Sequence, residues 1–357
     1  QDAAIDWNPI WSPDGRSLYF LSDRNGTLNL WRIPIDETSG RPRGDPEPVT
    51  LPARAIMQFR LSRDGRKIIY MAREWAFHLQ RFPLDAGRGV TAAAEEIWSG
   101  TMIVDDLAIS RDGNWLAFGS PGKQEDIYLM RSDGSGLKKL TDDTWRDRHP
   151  TFSPDGQTIA FQSDRNGRWE LWTIGVDGSA LTQLTRTSGE SPTDPIWSPD
   201  GAFIAFARGR DTQLVSMGGG RTAGHVESLP PPGPGLSFEA RAWTPDNLQL
   251  LGVVRRDAEG TRPEGMTYTL SSRSYEKLPL GGTAMRFAPF RDGHHILVSS
   301  DERRGIALLD TRSGESRALL QSFAGRFTQT WAISPDEKFL FVNHATQEAD
   351  IWLATLE

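Results

Sequence analysis

No cysteine occurs among the 357 residues, which excludes disulfides and thiolate metal sites and is compatible with export. A basic surplus is also missing: the formal charge is -7, so nucleic acid is not expected as a direct partner. No apolar run approaches the roughly 18 residues that a membrane helix requires, and membrane insertion is not expected. The start shows no charged-then-apolar leader. A chain beginning at Gln1 fits either a terminus left by signal cleavage or a boundary inside a longer protein. Helical periodicity is absent as well, because the apolar residues come in short runs bounded by Gly, Pro, Asn or Asp, and the expected class is all-β.

What the chain does have is a repeat. Trp11-Ser12-Pro13-Asp14-Gly15 returns as Phe152-Ser153-Pro154-Asp155-Gly156 and Trp197-Ser198-Pro199-Asp200-Gly201. Weaker copies centre on Asp64, Asp112, Asp246, Asp292 and Asp336, giving steps of 50, 48, 43, 45, 46, 46 and 44 from Asp14 onward. Each unit carries an extended stretch into the motif, a Pro-Asp-Gly type hairpin, an apolar run, a second turn and further short strands. The second turn is Asp-Arg-Asn-Gly at 23–26 and 164–167, and its Asn-Gly pair is a strong hairpin signal. Four antiparallel strands in about 45 residues is the content of a propeller blade. The expectation is one domain, 1–357, a single eight-bladed propeller with blades starting near 7, 56, 104, 147, 192, 238, 284 and 328. The eighth unit runs out of residues after its third strand. Residues 2–5 are therefore expected to supply its outer edge, closing the ring by exchange of strands between the termini. The Gly- and Pro-rich stretch 218–236 reads as a long crossover between blades five and six.

Trp-Ser-Pro-Asp-Gly followed by Ile-Ala-Phe and then Ser-Asp-Arg-Asn-Gly resembles the aspartate-turn (WD40-like) repeat of TolB-type propellers, most closely in units one, four and five. The resemblance implies a bacterial, periplasmic or extracytoplasmic β-propeller. TolB itself binds a partner lipoprotein, and similar propellers serve as sensor segments of kinases or transcriptional regulators, as gating domains of prolyl-oligopeptidase-like peptidases, and as oligogalacturonate lyases. The resemblance thus fixes a fold and leaves several functions open.

The residues argue against chemistry. No Gly-x-Ser-x-Gly elbow is present. The six His fall on five units, and the adjacent His294-His295 are expected to point to opposite faces of a strand and so not to share one metal. The repeated Asp residues, Asp14, Asp155, Asp200 and Asp336 among them, read as caps of their own hairpins. Trp11, Trp31, Trp172, Trp197 and Trp352 recur at fixed repeat positions and are expected in the core. No catalytic residue, metal or cofactor is expected.

One position does attract attention. Four residues before the motif Ser, where the chain runs into each innermost strand, stand Asn8, Gln58, Asp106, His149, Asp194, Ala240, Arg286 and Thr330. All but Ala240 are polar, and polar groups on an innermost strand are costly unless they face water. Asn8, Gln58, Asp106, His149, Asp194, Arg286 and Thr330 are the expected ligand site, at one mouth of the channel and rimmed by the Asp-Arg-Asn loops. The expected partner is a protein, a peptide or a small polar ligand bound by a monomer. A ligand with both charges would match an Asp106/Asp194 side and an Arg286 side. His149, lying between the carboxylates, would make binding depend on pH near neutrality.

Overall fold

A computed structural model describes the chain except residues 1–3, 25–27, 51–54, 86, 123, 219–221, 257–262, 281–285, 300–304, 322–325 and 357. Every regular element among the described residues is a strand, so no helix there is long and apolar enough to cross a membrane. The all-β expectation stands.

The repeated motif forms the hairpin between the first and second strand of each unit. Its fifth residue adopts left-handed backbone in all eight copies, φ running from 61° at Glu337 and 63° at Asn247 to 77° at Gly293. Glycine meets that demand without strain. Two residues before the Asp, a hydroxyl ties the turn together. Ser153 Oγ donates to Asp155 Oδ1 at 2.5 Å and accepts the Thr158 N–H at 3.0 Å, while Asp155 Oδ1 accepts the Gln157 N–H. The same hydroxyl-to-carboxylate bond recurs at Asp14, Asp64, Asp112, Asp200, Asp246 and Asp336. The Asp residues are indeed occupied by their own hairpins.

Six repeats, the first and the third to the seventh, form four-stranded antiparallel sheets with their strands in sequence order. The second and eighth do not, which corrects the expected eight separate blades. Their second strands run on past the expected turn as Lys67–Asp85 and Phe339–Thr355, and pair with each other. The reason is local. Neither segment contains a glycine, and the first has no proline before Pro83, so neither supplies the φ > 0 position that a tight turn between strands two and three needs. The expected exchange between the termini falls partly on residues outside those described. Phe339–Thr355 lies between Arg326–Ile333 and Lys67–Asp85. The Ile5 N–H bonds to Asp23 Oδ1, and residues 2 and 3 lie outside the described residues.

The chain divides into two compact units, Gln1–Ala76 with Thr346–Glu357, and Phe77–Ala345. The first holds the sheet of repeat one and the pairing of Ala55–Leu61 with residues 68–73. Its core is Tyr19, Leu21, Leu28, Leu30, Ile56, Phe59 and Ile68, with Ala354 and Leu356 packed against it. Trp11 and Trp352 are not in that core: they are 54% and 49% exposed. Trp31 and Trp197 are buried as expected, and Trp172 is half-buried.

In the second unit, six sheets follow one another. The innermost strands Asp105–Ile109, Asp147–Phe152, Pro192–Trp197, Leu236–Trp243 and Arg286–Pro289 stand side by side in that order, Arg326–Ile333 neighbours the first, and Ala288 and Ile333 pack on one core with Phe290 and Trp331. Phenylalanines at a repeated second-strand position, Phe118, Phe161 and Phe206, are buried between sheets. The sixth sheet is completed from the other end of the sequence. Leu84 N–H bonds to the Lys338 carbonyl at 2.7 Å, residues 77–81 pair with Glu95–Gly100, and Phe82 and Leu84 pack with Phe290, Leu297, Trp331, Leu340 and Val342.

Candidate functional site

The innermost strands are not regular. Their pairing with the second strands slips between Trp7 and Ile10, Arg148 and Thr151, and Thr193 and Ile196, and beside Asp106 between partners Ala117 and Gly119. The residues in these bulges are Asn8, Asp106, His149 and Asp194, and all four have positive φ, 55°, 50°, 53° and 50°. Asn, Asp and His are among the few side chains that tolerate this backbone, and each instance still costs on the order of 1 kcal/mol. Pro9, Pro150 and Pro195 follow three of them. A proline has no N–H for the ladder and so fits a strand at a bulge.

In the second unit the bulges turn three of these side chains into a cavity of ≈ 260 Å³ with contributions from all six innermost strands, among them Asp106, His149, Asp194, Arg241, Arg286 and Trp331. His149 Nδ1 lies 3.1 Å from Asp106 Oδ2 and 3.0 Å from Asp194 Oδ1. Arg286 Nη2 is 3.1 Å from Asp106 Oδ1, and Arg241 Nη1 is 3.2 Å from Asp194 Oδ2. Arg241 also reaches Glu239, at 2.7 Å. Glu239 lies in turn 3.7 Å from Arg255, so three acids and four cations form one connected network.

The network sets the protonation states. Burial alone would lower the His149 imidazole, but its bonds to Asp106 and Asp194 outweigh burial and raise it to about 10. Against burial, His149 and Arg286 hold Asp106 below the ordinary carboxylate range, and His149, Arg241 and Arg286 hold Asp194 well below it. His149 is accordingly charged at neutral pH and does not switch there, contrary to expectation. Nor do acids and cation occupy opposite sides, because Arg286 sits directly on Asp106.

Of the seven site residues expected, the cavity brings together Asp106, His149, Asp194 and Arg286. Thr330 is buried and faces away: its hydroxyl donates to Asp105 Oδ1 at 2.7 Å, and the same oxygen accepts the Asp106 N–H. It braces the bulge and does not line the mouth. Asn8 and Gln58 belong to the other compact unit. Arg241 was missed. In its repeat the register slips between Ala240 and Ala242, so Arg241 takes the place that counting back from Thr244 assigns to Ala240. The break in polarity at Ala240 was the available signal. The loop expected to rim the mouth is tied down: Arg165 bonds Asp147 at 2.8 Å and stacks on Phe161 and Trp172, and Asp164 holds Arg146. In the other loop Arg24 holds Asp6, and Asn25 lies outside the described residues.

The TolB beta propeller domain family model matches residues 91–251, a stretch that includes Asp106, His149, Asp194 and Arg241. In that stretch the chain is similar to TolB-type propellers. An uncharacterized protein of Agrobacterium fabrum is 29% identical over 215 residues, which are 55% of this chain and 68% of that protein. The Tol-Pal system protein TolB of Zymomonas mobilis is 37% identical over 75 residues, 20% of this TolB-like chain and only 16% of TolB itself. Among solved structures, an oligogalacturonate lyase in complex with manganese aligns with a TM-score of 0.51 at 12% identity, covering 98% of this chain and 88% of the lyase. That likeness is one of fold.

Proposed function

We propose that this TolB-like propeller is a non-catalytic binding module of a bacterial extracytoplasmic compartment. In this reading the cavity of the second unit accepts a polar side chain or terminus of a peptide or protein partner. The observation that carries the reading is the closed network of Asp106, His149, Asp194, Arg286 and Arg241. A His held protonated is a poor general base, and carboxylates held ionised are poor general acids, so these groups suit recognition better than proton transfer. The positive-φ backbone of Asp106, His149 and Asp194 keeps these three in place before a ligand arrives, which reduces the ordering cost of binding.

Acids and cations alternating along one network favour an occupant that carries both signs, inserting between an acid and its arginine. A cavity of ≈ 260 Å³ sits at the lower edge of small-ligand pockets, about 300–1,000 Å³, and suits one residue more than an extended oligosaccharide. As the sensor segment of a larger regulator the module would bind in the same way, with the readout lying in other domains. The test is amide NMR of the full chain titrated with short peptides and with oligogalacturonate. Peptide-induced shifts at residues 106, 149, 194 and 286, lost in Asp194→Ala and Arg286→Ala, support the proposal. Cleavage of oligogalacturonate, or shifts confined to the Ser-Pro-Asp-Gly end, would refute it.

A further inference from the structure

The seventh repeat breaks the rule that holds its hairpin in the other seven. Where those have Ser or Thr two residues before the Asp, it has Phe290, fully buried in the core. Asp292 therefore receives no hydroxyl from that position. Its Oδ1 accepts the N–H groups of His294 and His295 at 3.0 and 2.9 Å, which does the structural work of the turn. Oδ2 faces His295 Nδ1 at 2.6 Å. His294 Nδ1 stands 3.0 Å from the Asp292 carbonyl oxygen and 3.5 Å from Oδ1. The expected divergence of the two rings fails because the strand begins only at His295. His294 is still in the turn, and the ring centroids come within 4.4 Å.

We propose that Asp292, His294 and His295 form a binding site for a borderline transition-metal dication of the Zn²⁺ type, at the end of the second unit opposite the charged cavity. The three donors lie within 4.8 Å of one another. Two imidazoles and one carboxylate match the preferences of Zn²⁺, Ni²⁺ and Cu²⁺, and not those of Mg²⁺ or Ca²⁺, which take oxygen. Ligand atoms about 2.0–2.1 Å from a tetrahedral ion stand about 3.3 Å apart. The His294 pair is already near that separation, its Nδ1 exchanging the carbonyl contact for the ion, and the His295 pair opens by less than 1 Å, with the ion replacing the proton between Nδ1 and Oδ2. Both imidazoles keep about a fifth of their surface open to water, so an ion can enter and retain water in its remaining positions. No other copy of the motif has His at either of these positions, as Gln157-Thr158 and Ala202-Phe203 illustrate.

The experiment is calorimetric titration of the chelator-treated full chain with ZnCl₂ and, separately, MgCl₂. Wild type should bind one equivalent of zinc that is lost in the double variant His294→Gln/His295→Gln. Each single variant should bind at least about tenfold more weakly, a loss that disturbing even an outer-shell partner can cause. Magnesium should not bind. Melting curves without metal establish that the variants fold. If one does not, zinc-edge X-ray absorption of wild type, showing two imidazoles and oxygen in the shell, supplies the same test. No zinc binding by wild type, undiminished affinity in the double variant, or a shell without two imidazoles would overturn the site.

Discussion

His149→Asn isolates the charge at the centre of the cavity. Asn tolerates the backbone at φ 53° as well as His does, so the substitution removes the cation and leaves the bulge. An imidazole moved from its usual 6.5 to about 10 corresponds to roughly 5 kcal/mol, at about 1.4 kcal/mol for each tenfold change in the equilibrium. The His149 side chain is 27% exposed in a cavity open to water, and Asp106 and Asp194 each keep an arginine. Screening and these remaining partners reduce the expected loss to about 2 kcal/mol, below the 3–5 kcal/mol of a fully buried broken pair. The pH dependence gives the sign. A group whose pKa is raised by folding contributes fully below its unfolded value, near 6.5, and loses that contribution as pH rises through about 10. Urea unfolding of wild type and variant should therefore differ by about 2 kcal/mol at pH 6 and by little at pH 10.5, with groups common to both cancelling. Imidazole NMR provides a direct check. A difference that does not change between these pH values, or a His149 resonance titrating near 6.5, would refute the network as described.

Ser153→Ala removes both the bond to Asp155 and the acceptor of the Thr158 N–H, and should lower the urea midpoint by the equivalent of about 1–2 kcal/mol. Phe161→Ala, at a fully buried position between two sheets, should cost about 3–5 kcal/mol in the same assay. Asn8→Gly should leave stability unchanged or slightly higher, whereas Asn8→Val, β-branched at the same positive φ, should lose about 1–2 kcal/mol. Equal effects of the two Asn8 substitutions would show that the backbone there is not left-handed in solution.

The hairpins were legible because Ser, Pro, Asp and Gly each have a separate duty in the turn, and the order survives even where Asn247 or Glu337 replaces Gly. The polar ring was legible as composition, and Asp106, His149, Asp194 and Arg286 do meet. Its geometry was not, because a bulge changes the side-chain count by one without altering residue type. Ala240 and Arg241 exchanged places for that reason, and Thr330 turned inward. Pro150 and Pro195, in the middle of innermost strands, were the unread sign. The joined sheet of repeats two and eight was hidden for the opposite reason: it depends on turn residues missing from Lys67–Asp85 and Phe339–Thr355, and counting motifs registers only what is present. Trp11 and Trp352 show the limit of reading burial from repeat position, since equivalent places in a repeat need not have equivalent neighbours.

The bond from Leu84 to Lys338 also has a meaning in time. Leu84 leaves the ribosome 254 residues (338 minus 84) ahead of Lys338, and at about 5–20 residues per second it waits for roughly 13 to 50 s. Throughout that interval Phe82 and Leu84, later buried against Trp331 and Leu340, have no native cover, and the strand carrying them presents an open edge to any other extended chain. The edge of Lys67–Asp85 that Phe339–Thr355 later covers is thus where the nascent chain is most open to wrong pairing.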